Sequence, residues 1–256
     1  MQTKYKYLPL VFLLAVGLTN CGSKEQAAEE ETIIEKEVVI TENALSEQEI
    51  ADGWQLLFDG KQTTGWRGYN QVKLPEAWVI EDGTLKSLGK GGDIGGDIVY
   101  DEVFGEFELS IDWKISEGGN SGIFYHVLEG EQFHAPYENA PEYQVIDDLG
   151  FPQKLEDWQT VAADYAMYVP DQSIKKVKPA GEWNSSRIVF TNESVEYWLN
   201  GQITVSFVPW SDDWNERRNA GKWEDKPEYG KAKEGLLGLQ DHGSFIWYKN
   251  IKIKKL

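Results

Sequence analysis

Phe107-Glu-Leu-Ser-Ile-Asp-Trp-Lys-Ile115 alternates apolar and polar residues without a break. A period of two is typical of a half-buried β-strand, because successive side chains point to opposite faces of a sheet. The same alternation runs through Ser186 to Phe190, Ser194 to Leu199 and Ile246 to Ile253. These stretches predict a domain built from antiparallel strands, each with one face in the core.

Turn residues separate these stretches, and helical patterns are scarce. Glu81-Asp82-Gly83 and Leu199-Asn200-Gly201 contain the Asp-Gly and Asn-Gly pairs that favour tight hairpins. Only Lys154 to Ala163 and Asp212 to Ala220 offer room for a helical turn or two. No internal repeat with a period of about 40 to 50 residues is visible, which argues against a propeller. The sequence therefore predicts an all-β, two-sheet sandwich of jelly-roll type.

The N-terminus has the features of an export signal. Lys4 and Lys6 precede an apolar run, Leu8 to Leu18, which is too short to cross about 30 Å of hydrocarbon. Leu18-Thr19-Asn20-Cys21 resembles the lipobox of bacterial lipoproteins, although its third residue is not the usual Gly, Ala or Ser. Residues 1–20 are therefore predicted to be a lipoprotein signal peptide, and Cys21 the lipidated residue in the cell envelope, facing the periplasm or in the outer membrane. An ordinary signal cleaved nearby, with Cys21 incidental, is the alternative.

Residues 21–51 form an acidic segment ahead of the domain. Between Gly22 and Ala51 the chain has nine Glu, two Lys and no aromatic residue, a composition typical of a solvated tether. Residues 52–256 have the length of one domain, and the single cysteine excludes a disulfide within the chain. The formal net charge of −18 argues against nucleic acid as a partner, because that binding depends on Lys and Arg neutralising phosphates.

All 11 Trp residues lie in the domain, and aromatic faces are what proteins stack on the C–H faces of sugar rings. Three of them fall inside predicted strands and are expected to fill the core: Trp113, Trp198 and Trp247. Four fall in irregular segments and are expected at a site rim or as loop anchors: Trp158, Trp210, Trp214 and Trp223.

Three polar groupings are candidates for chemistry. In Pro141-Glu-Tyr-Gln-Val-Ile-Asp-Asp148, alternation places Glu142 and Gln144 on one face, which indicates solvent or a cleft because unpaired polar groups are costly in a core. The glycine-rich turn from Gly118 leads into a strand on which Asn120 and His126 share a face. In Gly238-Leu-Gln-Asp-His-Gly243, Gln240 and His242 share a face. Strand alternation alone does not show that these faces meet.

The same segments leave a divalent metal ion open as a cofactor. Asp147, Asp148 and Asp241 have no spacing that is diagnostic of a metal site, and they equally suit turns. Asp147 and Asp241 are therefore the main candidates for metal ligands.

Six blocks in order resemble the 3-keto-disaccharide hydrolase domain family, and the resemblance covers residues 52–256. The blocks are Trp54-Gln-Leu-Leu-Phe-Asp-Gly-Lys61 with Gly65-Trp66, Gly96 to Trp113, Gly119-Asn-Ser-Gly-Ile-Phe124, Glu142-Tyr-Gln-Val-Ile-Asp147, Gly181-Glu-Trp-Asn184 and Gly238-Leu-Gln-Asp-His-Gly243. The resemblance implies a concanavalin-like two-sheet jelly roll in bacteria that degrade glycans. It also implies a partner sugar 3-dehydrogenase that makes the 3-keto sugar. At His126 the chain departs from the many members that have Arg.

The implied activity is hydrolysis of 3-keto-glycosides. A carbonyl at C3 acidifies the proton at C2, and the aglycone oxygen at C1 is β to the resulting enolate, so elimination and addition of water give net hydrolysis. Glu142 and His242 are the expected base and acid, in either order. The expected substrate-binding residues are Asn120, Tyr125, His126, Gln144, Trp183, Arg187 and Gln240. The alternatives are a non-catalytic, lectin-like glycan-binding module on the same sandwich and a structural subunit of a surface complex.

Overall fold

The structure, a computed structural model, describes residues 41–90 and 96–256. The predicted signal peptide at residues 1–20, the predicted lipidation site Cys21 and residues 22–40 of the predicted tether lie outside the described residues. In the two described ranges, no helix has both the length and the apolar character that a membrane span requires.

Thirteen strands and two short α-helices make up the regular structure of the described residues. The strands are β1 (Trp54–Leu56), β2 (Trp66–Gly68), β3 (Trp78–Glu81), β4 (Thr84–Leu88), β5 (Ile98–Phe104), β6 (Phe107–Ile115), β7 (Asn120–Val127), β8 (Glu142–Ile146), β9 (Asn184–Phe190), β10 (Val195–Leu199), β11 (Gln202–Phe207), β12 (Gly235–Leu239) and β13 (Phe245–Lys255). The helices are α1 (Glu47–Ala51) and α2 (Asp212–Arg218), with single 3-10 turns at Pro136–Glu138, Asp157–Gln159 and Gly221–Trp223.

The strands form two antiparallel sheets. The larger has eight strands in the order β11-β10-β9-β6-β13-β4-β3, and β1 pairs with β13 beyond the end of β4. The smaller has five strands in the order β2-β5-β12-β7-β8. The predicted all-β, two-sheet jelly-roll sandwich is confirmed.

Two hairpins have the predicted turns. Asp82 and Gly83 join β3 to β4 with φ values of 48° and 73°, and Asn200 and Gly201 join β10 to β11 with 48° and 82°. Two successive residues with positive φ match the twist of the flanking strands, which is why Asp-Gly and Asn-Gly are favoured there.

The core lies between the sheets, where the alternation of β6 puts every second side chain. Trp113 is buried there, and its indole Nε1 donates to Ser186 Oγ, which in turn donates to the Tyr143 hydroxyl across the sandwich. Trp198 and Trp247 were predicted to fill the core but lie half-buried on the outer face of the larger sheet. Each occupies the outward phase of its strand, where a cation covers the ring: Arg187 over Trp198, and Lys86 and Lys114 over Trp247.

The folded domain begins before residue 52, where the tether was predicted to end. Asn43 and Asn250 exchange hydrogen bonds, with each side-chain Oδ1 accepting from the other's backbone N–H at 2.7 and 2.8 Å. The Asn43 amide also donates to the Gly83 carbonyl at 2.8 Å. The following helix α1 has a capping box at Ser46 and pairs Glu49 with Lys252 of β13. Residues 41–51 therefore belong to the sandwich.

Candidate functional site

A cavity of about 280 Å³ lies on the face of the five-stranded sheet that points away from the eight-stranded sheet. Five lining residues come from the sheet and the turn after β12, and we call them the floor: Asn120, Glu142, Gln144, Gln240 and His242. Four come from the connections between strands, and we call them the rim: Tyr137, Tyr165, Lys222 and Trp223. The structure therefore brings Glu142 and Gln144 together with Gln240 and His242, and adds Asn120 from the remaining grouping.

Strand β8 carries the two central floor residues. Tyr143 and Val145 are fully buried in the core, so the intervening Glu142 and Gln144 take the opposite face, as predicted. The far edge of β8 is covered by a short segment: Gln144 N–H donates to the Ala163 carbonyl at 3.0 Å, and Tyr165 N–H donates to the Glu142 carbonyl at 3.0 Å. The backbone of both residues is thus held on two sides, which limits how far their side chains can shift.

Glu142 lies over a glycine of the neighbouring strand. Gly122 on β7 pairs with Gln144, and a Cβ added at Gly122 would stand 2.9 Å from the Glu142 Cδ. Only a residue without a side chain leaves the carboxyl its place on the sheet. Glu142 is 5% exposed there and lines the cavity, so it is a buried part of the floor.

The amide side chains of the floor have buried oxygens available to a ligand. Gln240 Oε1 and Asn120 Oδ1 are buried, and neither has a hydrogen-bond partner among the described residues. A buried carbonyl oxygen without a partner costs free energy, which a sugar hydroxyl would recover by donating to it. His242 is half-buried at the same floor.

Asp147 and Asp241, the candidate metal ligands, both accept backbone hydrogen bonds in turns. Asp147 accepts backbone N–H groups of Gly118 and Leu149 at 2.9 and 3.3 Å, and so fixes the glycine-rich turn ahead of Asn120. Asp241 accepts from Gly243 N–H at 3.1 Å in the turn that presents Gln240 and His242. Among residues 41–90 and 96–256, no three His, Cys, Asp or Glu side chains are grouped as metal ligands.

His126 and Tyr125 do not line the cavity. Leu236 pairs with Val127 and Gly238 with Phe124, so Tyr125 and His126 together face one residue of β12 in a β-bulge. His126 adopts φ 56° at the bulge, which breaks the alternation and turns its ring into the sandwich. There its Nε2 lies 2.8 Å from the Gly105 carbonyl, and burial lowers its pKa to about 4.

Tyr125 belongs to the same interior. It is fully buried, stacks edge-on to Phe107 and accepts a hydrogen bond from the Tyr197 hydroxyl at 2.8 Å. Its alternation with Phe124 places it on the core side of β7, so it cannot stack on a sugar in the cavity.

Trp183 and Arg187 lie on the other sheet. Arg187 projects from the outer face of β9, where its Nε donates to Glu108 Oε1 at 2.6 Å. Trp183 precedes β9 and contacts the ammonium groups of Lys114 and Lys249 at 5.3 and 4.3 Å from the ring centroid. The outer face of one sheet and the outer face of the other are on opposite sides of the sandwich, so neither residue reaches Glu142.

The rim was largely missed by the sequence reasoning. Trp223 was one of four Trp residues predicted to lie at a rim or to anchor a loop, and it does both. It lines the cavity, and its ring stacks on that of Tyr229 with 4.0 Å between the ring centroids. Its indole N–H donates to the Tyr165 carbonyl at 3.1 Å. Tyr137, Tyr165 and Lys222 lie in segments without periodicity, and nothing in their spacing indicates the cavity. The other candidate Trp residues do not line it.

Behind the rim, Tyr229 and Asp164 place two polar side chains in the protein interior. Both are fully buried, and burial raises the pKa of the Asp164 carboxyl well above its usual value. Burial, followed by the nearby Asp164, Tyr125 and Glu142, raises the pKa of the Tyr229 hydroxyl well above its usual value.

Comparisons with known proteins show which family the chain is similar to. The profile of a family described as the 3-keto-alpha-glucoside-1,2-lyase-like domain matches residues 53–254. The chain is also similar to the curated 3-keto-disaccharide hydrolase of Bacteroides thetaiotaomicron, with 35% identity across 99% of each chain.

Two crystal structures of candidate glycosyl hydrolases from Parabacteroides distasonis are similar in fold. One is 45% identical with a TM-score of 0.79, covering 84% of this chain and 100% of that chain. The other is 26% identical with a TM-score of 0.60, covering 79% and 99%. Since the family profile spans most of the chain and the curated relative nearly all of it, the chain belongs to the family of 3-keto-alpha-glucoside-1,2-lyase-like domains.

Proposed function

We propose that this protein is a hydrolase that cleaves the glycosidic bond of 3-keto-glycosides, including 3-keto-disaccharides. The observation that carries the proposal is the floor: a carboxyl, an imidazole and three amide side chains line one cavity in a member of this family. The activity named for the Bacteroides thetaiotaomicron relative supports the substrate class.

The reaction proceeds by elimination and then addition. A base removes the C2 proton, and the electron pair of that bond forms an enolate whose charge lies on the C3 oxygen. The enolate collapses to restore the C3 carbonyl and form a C1–C2 double bond, while the C1–O bond breaks and the leaving oxygen takes a proton from an acid. Water then adds its hydroxyl to C1 and a proton to C2, which releases the 3-keto sugar.

Glu142 acts as the base and His242 as the acid. Glu142 is buried on the floor of the cavity, where its carboxylate can approach the C2 proton of a ring bound there. His242 is more exposed, so it lies nearer the side from which a leaving group departs. The amide groups of Gln144, Gln240 and Asn120 supply N–H donors for the enolate oxygen and acceptors for the ring hydroxyls.

Turnover of a prepared 3-keto-disaccharide and of its unoxidised parent by the full-length protein tests this assignment. We expect cleavage of the keto sugar only. Glu142→Gln and His242→Asn should each lower kcat by about 10²- to 10⁴-fold, the usual contribution of a general acid or base. The matched controls Glu182→Gln and His134→Asn make the same changes at exposed positions outside the cavity and should keep full activity. Binding of sugars by the wild type without any release would instead identify a glycan-binding module.

We also propose that the chain is exported and anchored through a lipid on Cys21. Lys4, Lys6 and the apolar run from Leu8 to Leu18 support an export signal, and the cysteine at its end supports lipidation. Labelling of cells with an alkyne fatty acid should mark the wild type and leave Cys21→Ser unmarked. Equal labelling of both proteins would contradict the anchor.

The substrate implies an upstream oxidation. A glycoside has a hydroxyl at C3, so a sugar 3-dehydrogenase that transfers a hydride from C3 to an acceptor must act before this protein. Addition of such a dehydrogenase and its acceptor should make an unoxidised disaccharide cleavable by the wild type, and Glu142→Gln should abolish that cleavage. No cleavage in the presence of accumulated keto sugar would contradict the coupling.

A further inference from the structure

Among the described residues, Lys222 is the only lysine or arginine that lines the cavity, and it lies at the mouth. The floor residues Glu142, Gln144 and Gln240 are at most 5% exposed, whereas Lys222 is exposed on the rim. If the reacting ring occupies the floor, as the proposed function requires, the rim contacts the part of the substrate beyond the scissile bond. A charged side chain at the mouth can therefore contact the leaving group and discriminate between leaving groups by their charge.

The position of Lys222 is fixed by its surroundings. Its ammonium lies 4.1 Å from the ring centroid of Tyr165 and 5.3 Å from that of Trp223. The loop that carries it is anchored by Trp223 and by Arg218, whose guanidinium donates to the carbonyls of Tyr229 and Lys226 at 3.0 and 3.1 Å. The cation–π contacts and the anchored backbone restrict the Lys222 ammonium to the rim. The ammonium of a surface lysine without such contacts would move more freely.

Lys222 makes no ion pair with any residue in the ranges 41–90 and 96–256. The chain has 43 acidic and 25 basic residues, so carboxylates are plentiful. Lys226, four positions later in the same loop, pairs with Glu138 Oε1 at 2.8 Å. An ammonium held at a cavity mouth without a carboxylate, in so acidic a chain, is available to an anionic group of the ligand.

We propose that the leaving group of the substrate is anionic, bearing a carboxylate as in a uronic acid or a sulfate ester, and that Lys222 selects it. This inference rests on the proposed function. A short substrate with one charge fits better than a polyanion, because the net charge of −18 repels a long acidic polymer.

Three 3-keto-disaccharides test the inference, identical except for a leaving ring of glucose, glucuronate or glucose 6-sulfate. The wild type should have a lower KM for one or both charged sugars, and added salt should reduce the difference. Lys222→Gln should raise KM for the charged sugars about tenfold, leave kcat nearly unchanged and hardly affect the neutral sugar. Lys222→Arg should retain most of the preference. Preference for the glucuronate sugar alone identifies a carboxylate, and preference for both identifies charge in general.

Lys233→Gln is the matched control. The Lys233 ammonium also lies over an aromatic ring, 5.0 Å from the centroid of Trp210, and it does not line the cavity. This variant should keep the wild-type preference. No preference in the wild type, or an equal rise in KM for all three sugars in Lys222→Gln, would overturn the inference.

Failure of the proposed function is a separate outcome. If the wild type cleaves none of the three sugars, calorimetric binding of the same sugars decides the role of Lys222. Tighter binding of the charged sugars by the wild type, lost in Lys222→Gln, supports anion selection without catalysis. Equal affinities overturn it.

Discussion

Gly122 decides where the Glu142 carboxyl can lie. A Cβ at this position would come within 2.9 Å of Glu142 Cδ, so Gly122→Ala must push the carboxyl away from the floor. We expect kcat on a 3-keto-disaccharide to fall about 100-fold, since a displacement near 1 Å can cost that much. The φ of Gly122 is not in the left-handed region, so the backbone accepts alanine and the protein should remain folded.

Gly105→Ala is the control for this change. A Cβ there meets nothing closer than 3.8 Å, and the residue lies outside the cavity. Circular dichroism melting of both variants separates a folding defect from a displaced base. Full activity of Gly122→Ala would show that Glu142 does not act from the observed position.

At the scale of the element, the bulge in β7 buries the His126 imidazole, and this makes the stability of the fold depend on pH. The folded pKa of His126 is about 4, below its unfolded value of about 6.5. A lowered folded pKa means that the stabilisation is present above pH 6.5 and is lost as the pH falls towards 4. At 1.36 kcal/mol per pH unit, the loss amounts to about 3 kcal/mol.

His126→Gln should remove this pH dependence, because glutamine keeps a donor for the Gly105 carbonyl and does not titrate. The free energy of unfolding is measured with urea at intervals between pH 7 and pH 4. The slope of this free energy against pH is compared between the two proteins, because the positive φ at position 126 affects the absolute stability with either side chain. His134→Asn, at an exposed position, should keep the wild-type slope. Parallel curves for wild type and His126→Gln would contradict the assignment.

Strands with strong periodicity were predictable from the sequence. The way in which those strands pair and the side chains that they bring together were not. Alternation predicted β6 and the shared face of Glu142 and Gln144, because a strand with one buried face admits no other phase. It failed at His126, since a bulge is set by the partner strand and leaves no local pattern. Strand pairing within the smaller sheet, where β7 lies between β12 and β8, decides that Gln240 and His242 meet Glu142. The same limit applies to Lys222, whose loop is positioned by the hydrogen bond from Trp223 to the Tyr165 carbonyl, a contact between residues distant in sequence.

At the scale of the whole molecule, residues 41–51 pack against the eight-stranded sheet. A chain that begins at Asp52 loses the reciprocal bonds of Asn43 with Asn250 and the Glu49 pair with Lys252, so it should be less stable than one that begins at Thr41. At about 1 kcal/mol for each hydrogen bond, the loss is roughly 2 to 4 kcal/mol, or about 5 to 10 °C in Tm. Calorimetry of the two chains measures it.

The activity of the shorter chain provides the control. The segment contacts β13 and the β3–β4 turn of the larger sheet, whereas the floor belongs to the smaller sheet. Turnover at 20 °C should therefore be similar for both chains. Equal Tm values would show that the segment contributes nothing to the fold.

The division of the cavity into a floor on strands and a rim on loops separates two tasks. The registers of β7, β8 and β12 position the floor and also set the core, whereas the segment from Arg218 to Gly230 is a loop held by a few anchoring contacts. A designer who wants another leaving group can therefore graft new rim loops onto this sandwich and keep its reaction.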